Sequence, residues 1–189
     1  MKRRKALKYT ASILGMSILG AEMFLSGCSQ DKKNEEFLSN DDILLLDEIG
    51  ETILPESDRS PGAKAAEIGL FMKNTVQEFY TEEEQKIFLS GLKIIENAAN
   101  KRFSKGFLEI NPGQRLEILT EFDKESKNKE IKKIHFFTMI KQMTLWGYFS
   151  SEPGVTKALR YEPSPGFYDP CVEYKDGDKA IYGYLSSIG

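Results

Sequence analysis

The sequence predicts an all-α fold, a single-domain bundle of about five helices with an irregular, Pro- and aromatic-rich C-terminal tail. Three observations carry this. Apolar residues recur at spacings of three and four, which lines one face of a helix. Helix-start signals stand directly before those stretches. No stretch of the body alternates apolar and polar residues between hairpin turns, as half-buried strands would.

The first helix is SNDDILLLDEIGETILPE. Ser39 or Asn40 can cap it, acids fill its first turn, and Ile43, Leu46, Ile49 and Ile53 follow at helical spacing. Pro55 stops it, and ESDRSPGA is a loop punctuated by Pro61-Gly62. The second helix is AKAAEIGLFMKNTVQEFY, with Ile68, Phe71, Met72, Thr75 and Phe79 on one face. The third opens on Thr81 with Glu84 as a capping box and carries a stripe from Ile87 to Phe103. The fourth opens on NPGQ: Asn111 caps, Pro112 takes the first helical position, and Gln114 reaches back. Leu116, Leu119 and Phe122 follow. The fifth, EIKKIHFFTMIKQMTLWGYF, is the most apolar. Ile131, Ile134, Phe137, Met139, Ile140, Met143, Leu145 and Trp146 spread over more than a narrow stripe, so it is expected at the centre of the bundle. Its stop lies at Ser150–Gly154, closed by Pro153. Beyond about residue 150 prolines recur among aromatics and glycines, which gives an irregular tail.

The chain has 189 residues, 40% hydrophobic and 29% charged, which suits one domain of ordinary size with a packed core. Its net charge of -3 conceals an asymmetry. Residues 1–27 hold five basic side chains against Glu22, so residues 28–189 keep 21 basic and 28 acidic ones, a net of -7. An acidic body does not attract phosphate backbones, and nucleic acid is not an expected partner.

Residues 1–27 read as an export signal: a basic start, an apolar run of small residues, then small residues before Cys28. The run is too short, and too interrupted by Glu22, to span a membrane. Arg3-Arg4 with its following residues resembles a twin-arginine signal, although a general basic start would also carry two arginines. LSGC at 25–28 resembles a bacterial lipobox, which makes Cys28 the lipidated first residue of the mature chain. Residues 28–38 are then a polar tether and 39–189 the helical domain. The expected location is the periplasmic face of a bacterial membrane, held by lipid.

No catalytic set assembles. Two cysteines without a CxxC give no zinc knuckle or redox pair, and one histidine leaves little for a metal or Ser-His-Asp site. His135 beside Phe136 and Phe137 reads as a core or flanking histidine. Glu82, Glu83 and Glu84 read as first-turn acids, and Asp41, Asp42 and Asp47 similarly. SPGA at 60–63 lacks the further glycines of a phosphate loop. No cofactor, metal or catalytic residue is therefore assigned to this chain.

Three stretches together resemble the gluconate 2-dehydrogenase subunit 3 family. They are LLDEIGETILPESDRSPGAKAAEIGLFM (45–72), LWGYFSSEPG (145–154) and ALRYEPSPGFYDPC (158–171). The resemblance implies a small accessory subunit of a large FAD-dependent dehydrogenase of the glucose–methanol–choline type, sometimes with a cytochrome c subunit. It also implies support of that enzyme's maturation and export, with FAD in the partner. The tail SSEPGVTKALRYEPSPG departs from the Asn/Gly-rich form of other members, so gluconate is not carried over as substrate. Trp146, Tyr148, Phe149, Tyr161, Phe167 and Tyr168 are candidates for the partner surface, since aromatics concentrate at interface centres. The same residues could instead fill the top of the bundle. The competing function is a stand-alone helical lipoprotein that binds or scaffolds without a redox partner.

Overall fold

A computed structural model of the protein describes residues 37–128, 134–161, 173 and 175–182. The chain divides into two compact units, residues 1–37 and 38–189, and every described residue but Phe37 lies in the second. That unit is an all-α bundle. Its described residues form α1 (Asn40–Ile53), α2 (Ile68–Phe79), α3 (Glu82–Phe103), α4 (Pro112–Ser126) and α5 (Phe136–Ser150). A 3-10 turn, Ala63–Ala66, precedes α2, and a π turn, Gly154–Ala158, follows α5.

Three of the five helix starts are those that the sequence predicts. Ser39 with Asp42, Thr81 with Glu84, and Asn111 with Gln114 each form a reciprocal capping box that satisfies two otherwise unpartnered N–H groups. In the second box, the Thr81 N–H and hydroxyl both donate to Glu84 and hold its carboxyl below the usual range.

The fifth helix is central, touching the other four and both short turns. Its buried residues run from Phe136 and Phe137 through Met139, Ile140, Met143 and Thr144 to Gly147 and Tyr148. At about 100° per residue that face covers roughly half of the helix. Leu145 and Trp146 fall outside it and are 37% and 61% exposed. The helix begins at Phe136, later than the apolar run suggests, because His135 is its cap: Nδ1 accepts the Phe137 N–H at 3.2 Å. Ile134 precedes the cap and is exposed, and Ile131 lies outside the described residues.

Other expectations need correction. The second helix is not continuous from residue 63. The 3-10 turn ends at Glu67 in the left-handed region (φ 49°, ψ 46°), and α2 starts afresh at Ile68. Every residue there is a fair helix former, so nothing local announces the break. Phe79 lies on the buried face of α2 by periodicity, yet in the last turn it finds no layer to meet and is 78% exposed. Leu116 is also exposed, because the buried face of α4 runs through Ile118 and Leu119. Pro153 does not close α5. Ser151 is the C-cap, and Pro153, with helical φ and ψ, opens the π turn. The tail then contains a short parallel ladder, β1 (Arg160–Tyr161) with β2 (Ile181–Tyr182), in the register Arg160 to Ile181. Two residues are too few for any alternation to be visible in the sequence.

No helix among the described residues is long and apolar enough to cross a membrane.

Candidate functional site

The densest polar construction links α1, the loop after it and the start of α2. Asp47, Glu48 and Glu51 stand within one turn of α1. Asp47 Oδ1 accepts the Gly69 N–H at 2.7 Å. Glu51 accepts two N–H groups, Glu56 at 2.8 Å and Lys64 at 2.9 Å. Glu48 pairs with both Lys64 and Arg115. Arg115 in turn donates to the carbonyls of Phe107 and Leu108. Each carboxylate meets a need that the chain creates. The N-cap of α2, Glu67, gives no side-chain cap, so Asp47 of another helix substitutes for it. The 3-10 turn likewise lacks its own side-chain cap, and Glu51 supplies an acceptor. Gly62 leaves room for this carboxylate: a Cβ there would displace Glu51 from its two N–H partners.

Sequence reading took Asp47 for one more first-turn acid and did not single out Glu48 or Glu51. The available signal was three acids at i, i+1 and i+4 beyond the first turn of the helix.

Burial raises the Asp47 carboxyl above its ordinary value, against the lowering effects of the Gly69 N–H and Lys64; Glu67 and Glu48 add to the rise. The folded chain therefore holds this proton more tightly than the unfolded chain. The stability contribution is full below the unfolded carboxylate value of about 3.9 and is lost as pH rises through the raised one. Asp47→Asn keeps an acceptor for Gly69 and removes the desolvated charge. At neutral pH its urea midpoint should equal or exceed that of the native chain, and any advantage should shrink toward about pH 4. A loss of stability that is the same at every pH would show instead that the carboxylate is needed as a charge.

The second half of the site comes from α5. Tyr148 is 3% exposed, and its hydroxyl donates to the Pro61 carbonyl, 87 residues away in sequence. Gly147 lets α2 approach: a Cβ there would lie 2.6 Å from Phe71 Cδ1. Phe71 then meets Trp146 edge to face, with ring centroids 5.4 Å apart. The Pro-Gly-Ala loop and the Gly-Tyr-Phe segment are thus two sides of one junction.

This junction sorts the aromatic candidates. Tyr148 points inward and is part of the packing, which corrects its place as a surface candidate. Phe149 is half-buried against Tyr148, centroids 5.1 Å apart. Trp146 and Tyr161 are exposed, at 61% and 50%. Phe167 and Tyr168 lie outside the described residues, as do Cys28, Arg3, Arg4 and Cys171.

Other titratable groups also serve the fold. Lys127 and Lys141 hold the Asp123 carboxyl below its usual range and tie α4 to α5. A groove of about 590 Å³ between α1 and α3 is lined by Asp41, Asp42, Lys93, Glu96 and Glu109. Three of its acids are already committed to hydrogen bonds: Asp42 to the Ser39 cap, Glu96 to the Phe107 N–H, and Glu109 to the Gly106 N–H. Among the described residues, no three His, Cys, Asp or Glu side chains are grouped to hold a metal ion.

No curated protein and no solved structure matches the chain. The family model described as gluconate 2-dehydrogenase subunit 3 matches residues 40–166, which take in all five helices, the clamped loop and the Gly-Tyr-Phe segment. The chain belongs to the gluconate 2-dehydrogenase subunit 3 family.

Proposed function

We propose that this chain is the non-catalytic small subunit of a large FAD-dependent dehydrogenase of the glucose–methanol–choline type, and that it supports the enzyme's export, maturation or assembly. The family assigns it an accessory role in a dehydrogenase complex. The observation that carries the finer reading is how its polar groups are used. The carboxylates of the junction are spent on backbone N–H groups and ion pairs, while Trp146 stands exposed beside Phe71 at the rim. That division of labour suits a protein that is recognised rather than one that turns over substrate. Tyr161, also exposed, adds to that surface, and Phe167 and Tyr168 lie outside the described residues.

Electrons and substrate belong to the partner, whose FAD does the chemistry; a cytochrome c subunit is a further partner. The leader with Arg3-Arg4 directs export, and lipid on Cys28 holds the chain at the periplasmic face of the membrane. Gentle purification of the full chain from membranes tests the reading. The expected result is a co-purifying large polypeptide with flavin absorbance, released to the soluble fraction by Cys28→Ala. A colourless chain that purifies alone would leave the stand-alone lipoprotein as the better description.

A further inference from the structure

The turn at Glu56–Ser60 is fixed far more firmly than an exposed loop needs to be. At its root Glu51 accepts the Glu56 N–H, and Leu54 O accepts the Ala63 N–H at 2.9 Å. At its far end the Pro61 carbonyl receives the Tyr148 hydroxyl. Its tip is closed by Ser57 and Ser60, whose N–H groups donate to each other's carbonyls at 2.9 and 3.3 Å. Yet Glu56, Ser57, Asp58 and Arg59 are all exposed. The side chains of Asp58 and Arg59 make no ion pair or hydrogen bond among the described residues. A Cβ placed on Gly177 would stand 3.9 Å from Arg59 Nη1, so the guanidinium lies near that turn. These four exposed residues themselves add no buried apolar surface to the fold.

We propose that this turn is a recognition element for the large subunit, docking on a protein surface that offers a carboxylate to Arg59 and a cation to Asp58. The inference rests on the accessory-subunit reading above. A loop held in its bound shape loses little entropy on docking, and adjacent opposite charges fix register and exclude wrong partners. The turn shares its end of the bundle with Trp146: Phe71 touches both Trp146 and Gly147, and the next residue, Tyr148, holds Pro61. An aromatic anchor beside a charged rim is the usual anatomy of a protein interface.

The test purifies the full chain from membranes and measures both the large subunit captured and the chain's own melting temperature. Asp58→Ala with Arg59→Ala should reduce capture roughly tenfold, with melting unchanged. Capture by the native chain should also weaken as salt rises, and the residual capture by the variant should not. If the double variant melts lower, Asp58→Asn and Arg59→Gln taken singly must show the loss at native melting temperature. Native-level capture by the variants, with Trp146→Ala reducing it, overturns the turn's role and leaves the accessory reading standing. A native chain that captures no flavoprotein overturns both.

Discussion

Tyr148→Ala is expected to lower the melting temperature by roughly 6–20 °C. Truncating a buried aromatic costs about 3–5 kcal/mol, and a domain of this size loses about 2–4 °C per kcal/mol. Tyr148 is 3% exposed, leans on Phe149, and holds Pro61 through its hydroxyl. Tyr148→Phe keeps the ring and loses only that bond, so it should cost about 1 kcal/mol, roughly 2–4 °C. Thermal melts of both variants followed by circular dichroism decide the matter. If phenylalanine proves as damaging as alanine, the hydroxyl and not the ring is what holds the junction. If neither shifts the melt, Tyr148 is not part of the core.

The second large effect concerns a glycine and has an informative sign. In an exposed helix interior, Gly→Ala stabilises by about 1 kcal/mol. Gly69 should do the reverse. Its Cα lies so close to α1 that a Cβ would run into the Ile43 carbonyl oxygen, with Asp47 Cγ 3.1 Å away. Backbone cannot rotate aside as a side chain can, so the helices must separate and the Asp47 bond to the Gly69 N–H must lengthen. Overpacking costs about 1–3 kcal/mol. Taken at its upper end and set against the helix gain, it leaves a net loss of about 2 kcal/mol, or roughly 4–8 °C. Gly113→Ala is the control: its Cβ would meet only Asn111 Oδ1 at 3.4 Å, so that variant should melt at or above the native temperature. A stabilised Gly69→Ala would refute the close approach of α1 and α2.

The helical content of this protein was readable because it rests on local rules. Each capping box is a four-residue pattern, and the boxes at Thr81 and Asn111 form where the sequence places them, while of the two caps offered for the first helix Ser39 is the one used, with Asp42 closing a box. The central place of α5 was equally legible, since a helix apolar around half of its surface must be surrounded. Side-chain direction was less so. Phe79 and Leu116 satisfy helical spacing but find no neighbour, because periodicity names a face and not what lies opposite it. Trp146 and Tyr148 are two residues apart in the same apolar run, and one turns to solvent while the other turns inward. The family resemblance marked the segments of Pro61 and Tyr148 without saying that they touch.

Sequence by itself determined the all-α class, three of the five helix starts, the order of the helices and the family, all of which follow from interactions within a few residues or from linear motifs. Tertiary structure alone decided what the glycines and acids of the junction are for. Asp47, Glu48 and Glu51 acquire their roles only when α1 lies beside the start of α2, where N–H groups left without local caps need acceptors. The turn at Glu56–Ser60 becomes rigid only when Tyr148, 87 residues from Pro61, arrives to hold it. The reason is distance along the chain: a buried donor is satisfied by whatever the fold brings near, and no local pattern records which residue that will be.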